Sequence, residues 1–347
     1  MGPSATATPA MHELAFPLLV GLILVALAFD FLNGLHDAAN SIATVVATRL
    51  LGPVKAVIFA ATFNFAAYFL SLAFPALHKV AETIGSGLID KDMVTPGVVF
   101  GALIGAMFWN VVTWLKGIPS SSSHALVGGI VGAGAMHAGI SGIQWGGLNK
   151  TLIAIVLSPL LGMILSMLVM LLTSWLFRRS TSRRADRSFR ALHLVSSAAY
   201  SLSHGLNDAQ KTMGIITVLL YSTGYLTGDF HVPHWVAISC YIAIALGTLS
   251  GGWKIIETMG SRITKLSQHQ GFSASTGGSI MIFTASLMGI PVSTTHTITG
   301  CIIGAGTARR ASAVRWGVAR SVVAAWIITI PASATVGAAF YLLTRLF

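Results

Sequence analysis

The sequence predicts an all-α polytopic membrane protein made of two inverted-topology repeats. Three observations carry that prediction: scarce charge, long uncharged runs and duplicated motifs. Of the 347 residues, 54% are hydrophobic and only 9% charged, with a mean hydropathy of +0.78. A soluble domain carries roughly 25% charged residues, so this chain lacks the means to clothe a water-facing surface. Residues 93–115, 151–177, 230–253 and 321–344 contain no Asp, Glu, Lys or Arg, and 266–308 run 43 positions without one. About 20 apolar residues suffice for a helix to cross a bilayer. Secreted, cytosolic and nucleic-acid-binding globules are thereby excluded.

Taken in order, the first half offers five candidate crossings: 14–48, 56–77, 93–115, 117–136 and 151–177. The first is expected to be interrupted, because Asn33-Gly34-Leu35-His36-Asp37-Ala38-Ala39-Asn40 puts polar residues and a glycine in its middle. The fourth opens on Gly117-Ile118-Pro119-Ser120-Ser121-Ser122-Ser123-His124, and such a Gly-Pro-Ser string leaves a re-entrant hairpin open as an alternative to a full span. Both motifs recur. His204-Gly205-Leu206-Asn207-Asp208-Ala209-Gln210-Lys211 repeats the first at an offset of 171, and Gly289-Ile290-Pro291-Val292-Ser293-Thr294-Thr295-His296 repeats the second at 172. The chain therefore reads as a first repeat over 1–177, an Arg-rich linker over 178–190 and a second repeat over 191–347.

Charge placement orients the halves. The net charge of +11 is concentrated in short clusters, six arginines between Arg178 and Arg190 and four between Arg309 and Arg320. Basic residues beside apolar spans mark cytoplasmic connections. Residues 1–13 carry no Lys or Arg where the second half has the six arginines; Arg49 and Lys55 stand against an uncharged 219–228; and 135–149 has none against the four of 309–320. All three comparisons are opposite in sense, which places the halves upside down to one another, with the N-terminus outside and the linker inside. An odd number of crossings per half follows. With no Lys or Arg before Arg49, the start lacks the charged region of a signal peptide. Cys240 and Cys301 fall in apolar runs and suggest no disulfide framework.

Inverted repeats with interrupted helices are the architecture of secondary transporters, whose substrate sits near the membrane midplane. Intramembrane charge is costly and so marks function. Asp37 and Asp208 hold the same position in the two repeats, with Asn33, Asn40 and Asn207 nearby to add oxygens. Such a set suits a hard cation such as Na⁺ or Mg²⁺, or a proton on a carboxylate; capping of a helix break is the structural alternative. The second motif reads as a helix start, where free amides and the helix dipole favour an anion. Ser121, Ser122 and Ser123, with Ser293, Thr294 and Thr295, supply hydroxyls beyond the one that N-capping needs. Carboxylates beside an oxyanion repel it, so uptake of anion and cation must be coupled.

His36 has no imidazole mate in the second half, where Asn207 stands; it is a proton relay beside Asp37 or a structural histidine. Lys211, which replaces Asn40, either binds the anion or pairs with Asp208. His124 and His296 are repeated, but each follows a helix start and reads better as a structural histidine bonded to a backbone carbonyl. Gly128, Gly132 and Gly134, with Gly300, Gly304 and Gly306, form small-residue faces for close helix packing.

At this point the sequence resembles the PiT family of inorganic phosphate transporters, through all four motifs in order and over nearly the whole chain. Within it the closest likeness is to bacterial low-affinity carriers, because His36 stands where sodium-coupled members commonly have Asn. The resemblance implies an integral protein of the bacterial inner membrane, often dimeric, that symports phosphate with a cation. It assigns signature positions to Asp37, Asn40, Asp208, Lys211 and the hydroxyl runs. It further implies protons as the coupling ion, Na⁺ being the alternative, and a neutral complex of phosphate with Mg²⁺ or another divalent ion as a possible cargo. Expected site residues are Ser121, Ser122, Ser123, Ser293, Thr294, Thr295, Asn40 and Lys211 for phosphate, and Asp37, Asp208, Asn33, Asn207 and His36 for coupling. No cofactor, no nucleic-acid partner and no enzymatic nucleophile–base pair is expected. A sulfate carrier and an anion channel are the rival readings.

Overall fold

The computed structural model describes residues 16–88 and 93–346, and no strand occurs among them. The first half contains α1 (Phe16–Ala47), α2 (Pro53–Ala73), α3 (Lys79–Ser86), α4 (Pro96–Lys116), α5 (Ser122–Ala138) and α6 (Trp145–Leu176). The second contains α7 (Ser182–Ser222), α8 (His234–Ser250), α9 (Trp253–Glu257, continued by a π-helical turn over Thr258–Arg262), α10 (Gln268–Leu287), α11 (Thr294–Arg309) and α12 (Trp316–Leu343). The order of long, short and half-length helices is the same in both. Local chemistry explains several starts: Pro53 and Pro96 open α2 and α4, where a missing N–H does no harm, and Ser267 with Gln270 forms a capping box on α10.

Among the described residues five helices are long and apolar enough to cross a membrane: α1, α2, α4, α6 and α12. A sixth results if α8 and α9, bent by 69° at Gly251-Gly252, count as one. Leu160, Ile164, Leu168 and Leu171 on α6, with Ile327 and Ile328 on α12, are exposed and form apolar rows on the outside of the bundle. α5 and α11, at 17 and 16 residues, rise only about 25 Å and fall short of a ~30 Å hydrocarbon layer. α7 is the opposite case, with 41 residues. Its first turns carry exposed Arg183, Arg184, Arg187 and Arg190, so most of the basic segment expected as a connection is helical.

Packing exchanges partners between the halves. α1 lies against α8 and α2 against α7; likewise α5 lies against α12 and α6 against α11. Small residues set the separations. Gly128 faces the Ile330 backbone on α12, and its counterpart Gly300 faces the Pro159 backbone on α6; Gly132 and Gly304 approach Ala334 and Met163 in the same manner.

One sequence expectation fails here. The first run is not interrupted: α1 passes through Asn33–Asn40 as continuous α-helix, and α7 passes through the second copy. Gly34 is needed for contact, since a Cβ there would meet the Ile244 carbonyl of α8, and Gly205 meets Asn64 of α2 equivalently. Helix breaks occur instead at 117–121, 251–252 and 288–293. The N-terminal charge comparison rests on residues 1–13, which lie outside the described residues.

Candidate substrate and ion site

Two helix starts and two continuous helices build the site. α4 ends at Gly117 (φ 64°) and α10 is followed by Gly289 (φ 69°), both left-handed. The Ile118 amide bonds the Thr113 carbonyl at 2.9 Å and the Ile290 amide bonds that of Ala285 at 2.9 Å. Each is the six-residue closure of a Schellman end. Pro119 and Pro291 then forbid helix, and Ser121 and Ser293 follow as extended N-caps. The Ser121 hydroxyl accepts the His124 amide at 3.2 Å, and Ser293 accepts that of His296 at 3.1 Å. The expected hydroxyl runs are thus divided in function: Ser121 and Ser293 cap, which leaves Ser122, Ser123, Thr294 and Thr295 facing the interior.

All these groups are buried. The Ser122 hydroxyl lies 2.5 Å from Asn33 Oδ1 and 3.0 Å from Asp37 Oδ2. Thr294 donates to Asp208 Oδ2 at 3.2 Å and Thr295 to Asp37 Oδ1 at 3.3 Å. Asn40 Nδ2, on α1, reaches Thr294 and Thr295 of α11 at 3.3 and 3.0 Å. Its repeat mate Lys211, on α7, contacts Ser123 of α5. Each half's long helix therefore holds the other half's helix start. Lys211 Nζ also meets Asp208 Oδ1 at 2.6 Å and the Val292 carbonyl at 3.2 Å, so its ammonium joins both sequence readings, ion pair and hydroxyl cradle.

His36 Nδ1 lies 2.9 Å from Asp37 Oδ1, while Nε2 lies 3.1 Å from the Thr113 hydroxyl, itself bonded by Ser120 at 2.8 Å. Asn33 places the Ser122 hydroxyl. Asn207 turns aside, donating to Ser286 on α10 at 3.0 Å. His124 and His296 meet each other edge-on at 4.1 Å, and His296 stacks on Trp326 at 3.7 Å.

His204 was not among the expected residues. Thr248 donates to the Ile244 carbonyl at 2.9 Å and receives Asn64 Nδ2 at 2.9 Å, which turns Asn64 Oδ1 toward His204 Nδ1 at 3.2 Å. That orientation makes Nδ1 the protonated nitrogen. His204 Nε2 lies 3.4 Å from Asp208 Oδ2. At that separation a proton shared by the imidazole and the carboxylate, or a cation held by both, would join them. Ligand atoms of Asp37, His204 and Asp208 all lie within 4.8 Å of one another. The signal was available in the sequence, because the 171 offset puts His204 opposite Asn33.

The phosphate transporter family pattern matches residues 33–337, which include every group just described. The chain belongs to the phosphate transporter family. It is 63% identical over 328 residues to a probable low-affinity inorganic phosphate transporter of Rhizobium meliloti (strain 1021), covering 94% of this chain and 97% of that one. A probable low-affinity inorganic phosphate transporter of Bacillus subtilis (strain 168) is 41% identical over 94% of this chain and 97% of its own. Among solved structures, a sodium-dependent phosphate transporter superposes with a TM-score of 0.85 at 25% identity, over 96% of this chain and 100% of that one. Members of the phosphate transporter family are transporters rather than enzymes, and this one is an integral membrane protein of apolar helices.

Proposed function

We propose that the protein carries inorganic phosphate across the membrane in symport with protons, through two repeats of opposite orientation. The observation that supports this reading best is the convergence of Ser122, Ser123, Thr294 and Thr295, from the starts of α5 and α11, on Asp37, Asp208 and Lys211. Amides of the first helical turn precede the intrahelical ladder, so both starts offer N–H groups as well as hydroxyls to an anion. Phosphate supplies a proton that a carboxylate can accept, and sulfate does not, which favours phosphate.

Coupling follows from the hydroxyls. Each now bonds a carboxylate or Lys211; on turning toward phosphate, it leaves its former partner short of a bond. Lys211 balances Asp208, but Asp37 then faces the anion, and two like unit charges 4 Å apart repel by about 4 kcal/mol at an effective dielectric of 20. A proton or cation at Asp37 removes that repulsion. His204 completes a mixed nitrogen–oxygen set with the carboxylates, and such sets suit a proton or a divalent ion better than Na⁺, which prefers oxygen alone. A divalent ion there would travel as cargo with phosphate. Sodium coupling is the second reading, favoured by the likeness in fold to a sodium-dependent phosphate transporter.

Uptake of radiolabelled phosphate into proteoliposomes, under imposed proton or sodium gradients with and without Mg²⁺, tests this. An inward proton gradient should drive accumulation in sodium-free buffer. Dependence on sodium alone would replace the proton reading, and indifference to every cation gradient would overturn symport.

A further inference from the structure

We propose that Asp30 is a proton-carrying site of the transport cycle, distinct from the carboxylates at the substrate cradle; this rests on the proton-coupled reading above. Asp30 precedes Asp37 on α1 by about two turns and is wholly buried. Neither carboxylate oxygen has a hydrogen-bond partner among the described residues. Its polar neighbours are the Thr212 hydroxyl and the Asn33 amide, and Thr212 Oγ1 and Asn33 Nδ2 are themselves unpartnered. Thr212 and Asn33 are thus the donors placed nearest this carboxyl, and neither closes a short bond on it in this conformation.

The nearest ammonium is committed to other partners. From α7, Asp208 and Lys211 face Asp30; from α8, Cys240 and Tyr241 do. Lys211 has three N–H donors, and Asp208, Ser123 and the Val292 carbonyl engage all three. Carboxylates inside a membrane are costly to ionise and are the groups that relay protons there. Ionisation requires water, or donors that turn toward the group, and both come with opening of the helices around it. The proton therefore loads from one side and leaves to the other as the conformation changes. Packing does not demand an acid at this position, because its repeat mate is Ser201, equally buried and also unpartnered.

Asn33 connects this site to the cradle. Its Oδ1 holds the Ser122 hydroxyl at 2.5 Å while its Nδ2 is on the Asp30 side. When Ser122 turns to substrate, the Asn33 amide loses the bond that fixes its orientation and can swing relative to the Asp30 carboxyl, so occupancy of one site changes the proton affinity of the other.

The test uses the reconstituted full chain. At an imposed gradient of one pH unit, Asp30→Asn should lower steady-state phosphate accumulation about tenfold, the factor that one lost proton represents. Phosphate–phosphate exchange at equal pH should continue, since the amide stands in for the protonated acid. Wild-type accumulation in Asp30→Asn overturns the assignment, and so does loss of exchange in a well-reconstituted variant. Should that variant fail to reconstitute, Asp30→Glu decides: it should keep coupled uptake with a displaced pH profile, and an unmoved profile overturns the proposal. Wild-type uptake indifferent to the pH gradient would sink the proton-coupled reading itself, and this site with it. Gradient-driven uptake that Asp30→Asn leaves intact sinks only the site.

Discussion

Lys211 stands where the first half has Asn40, and this one difference alters the charge of an otherwise symmetric cradle. With Asp208 it forms an ion pair at 2.6 Å, both side chains buried. Replacing one partner of such a pair strands the other charge and typically destabilises by about 3–5 kcal/mol. We expect Lys211→Met to lower the thermal midpoint in detergent sharply, and Lys211→Met with Asp208→Asn to recover most of it while transport stays absent. A double variant no more stable than the single one would show that the pair does not hold Lys211 in place. Duplication made Asp37, Asp208 and the hydroxyl runs legible in the sequence. It hid His204, whose mate is an asparagine, so that a shared position looked like divergence. Asn64, which orients His204, belongs to no motif and became visible only where α2 meets α7.

Elements were legible where hydropathy alone decides them, as in α6 and α12, and less so where polar residues sit inside a helix. The Asn-Gly-Leu-His-Asp string reads as a break because glycine and amides are poor helix formers in isolation. Tertiary contact overrides that preference: Asp37, His36 and Asn40 find partners on α4, α5 and α11, and Gly34 lets α8 approach. A branched side chain at Gly34 must push α8 away, and overpacking of this kind costs about 1–3 kcal/mol. Gly34→Val should therefore lower the thermal midpoint. Gly21→Val on the same helix, where an added Cβ meets nothing within 4 Å, should change it little. Equal losses in both variants would attribute the effect to helix propensity rather than to the α1–α8 contact.

For the whole molecule, the arrangement of partners carries information that no single element does. Helix pairs recur with the halves exchanged, α1 with α8 against α7 with α2, and α5 with α12 against α11 with α6. Asn40 and Lys211 repeat the exchange at the site itself. A two-fold axis between the halves generates such reciprocity, and an axis in the membrane plane would give each helix start access from a different side. The inversion we propose rests on charge bias: Arg309, Arg310, Arg315 and Arg320 flank the connection after α11, whereas the equivalent 139–144 after α5 has no Lys or Arg. Ser141 and Ser312 are exposed in these two connections. With the buried Cys240 and Cys301 replaced, single cysteines at Ser141 and Ser312 should react with an impermeant maleimide from opposite faces of intact cells, Ser141→Cys from outside and Ser312→Cys only after the membrane is opened. Reaction of both from one face would establish parallel repeats, and the proposed pairing of opposed helix starts around phosphate would fall with the inversion.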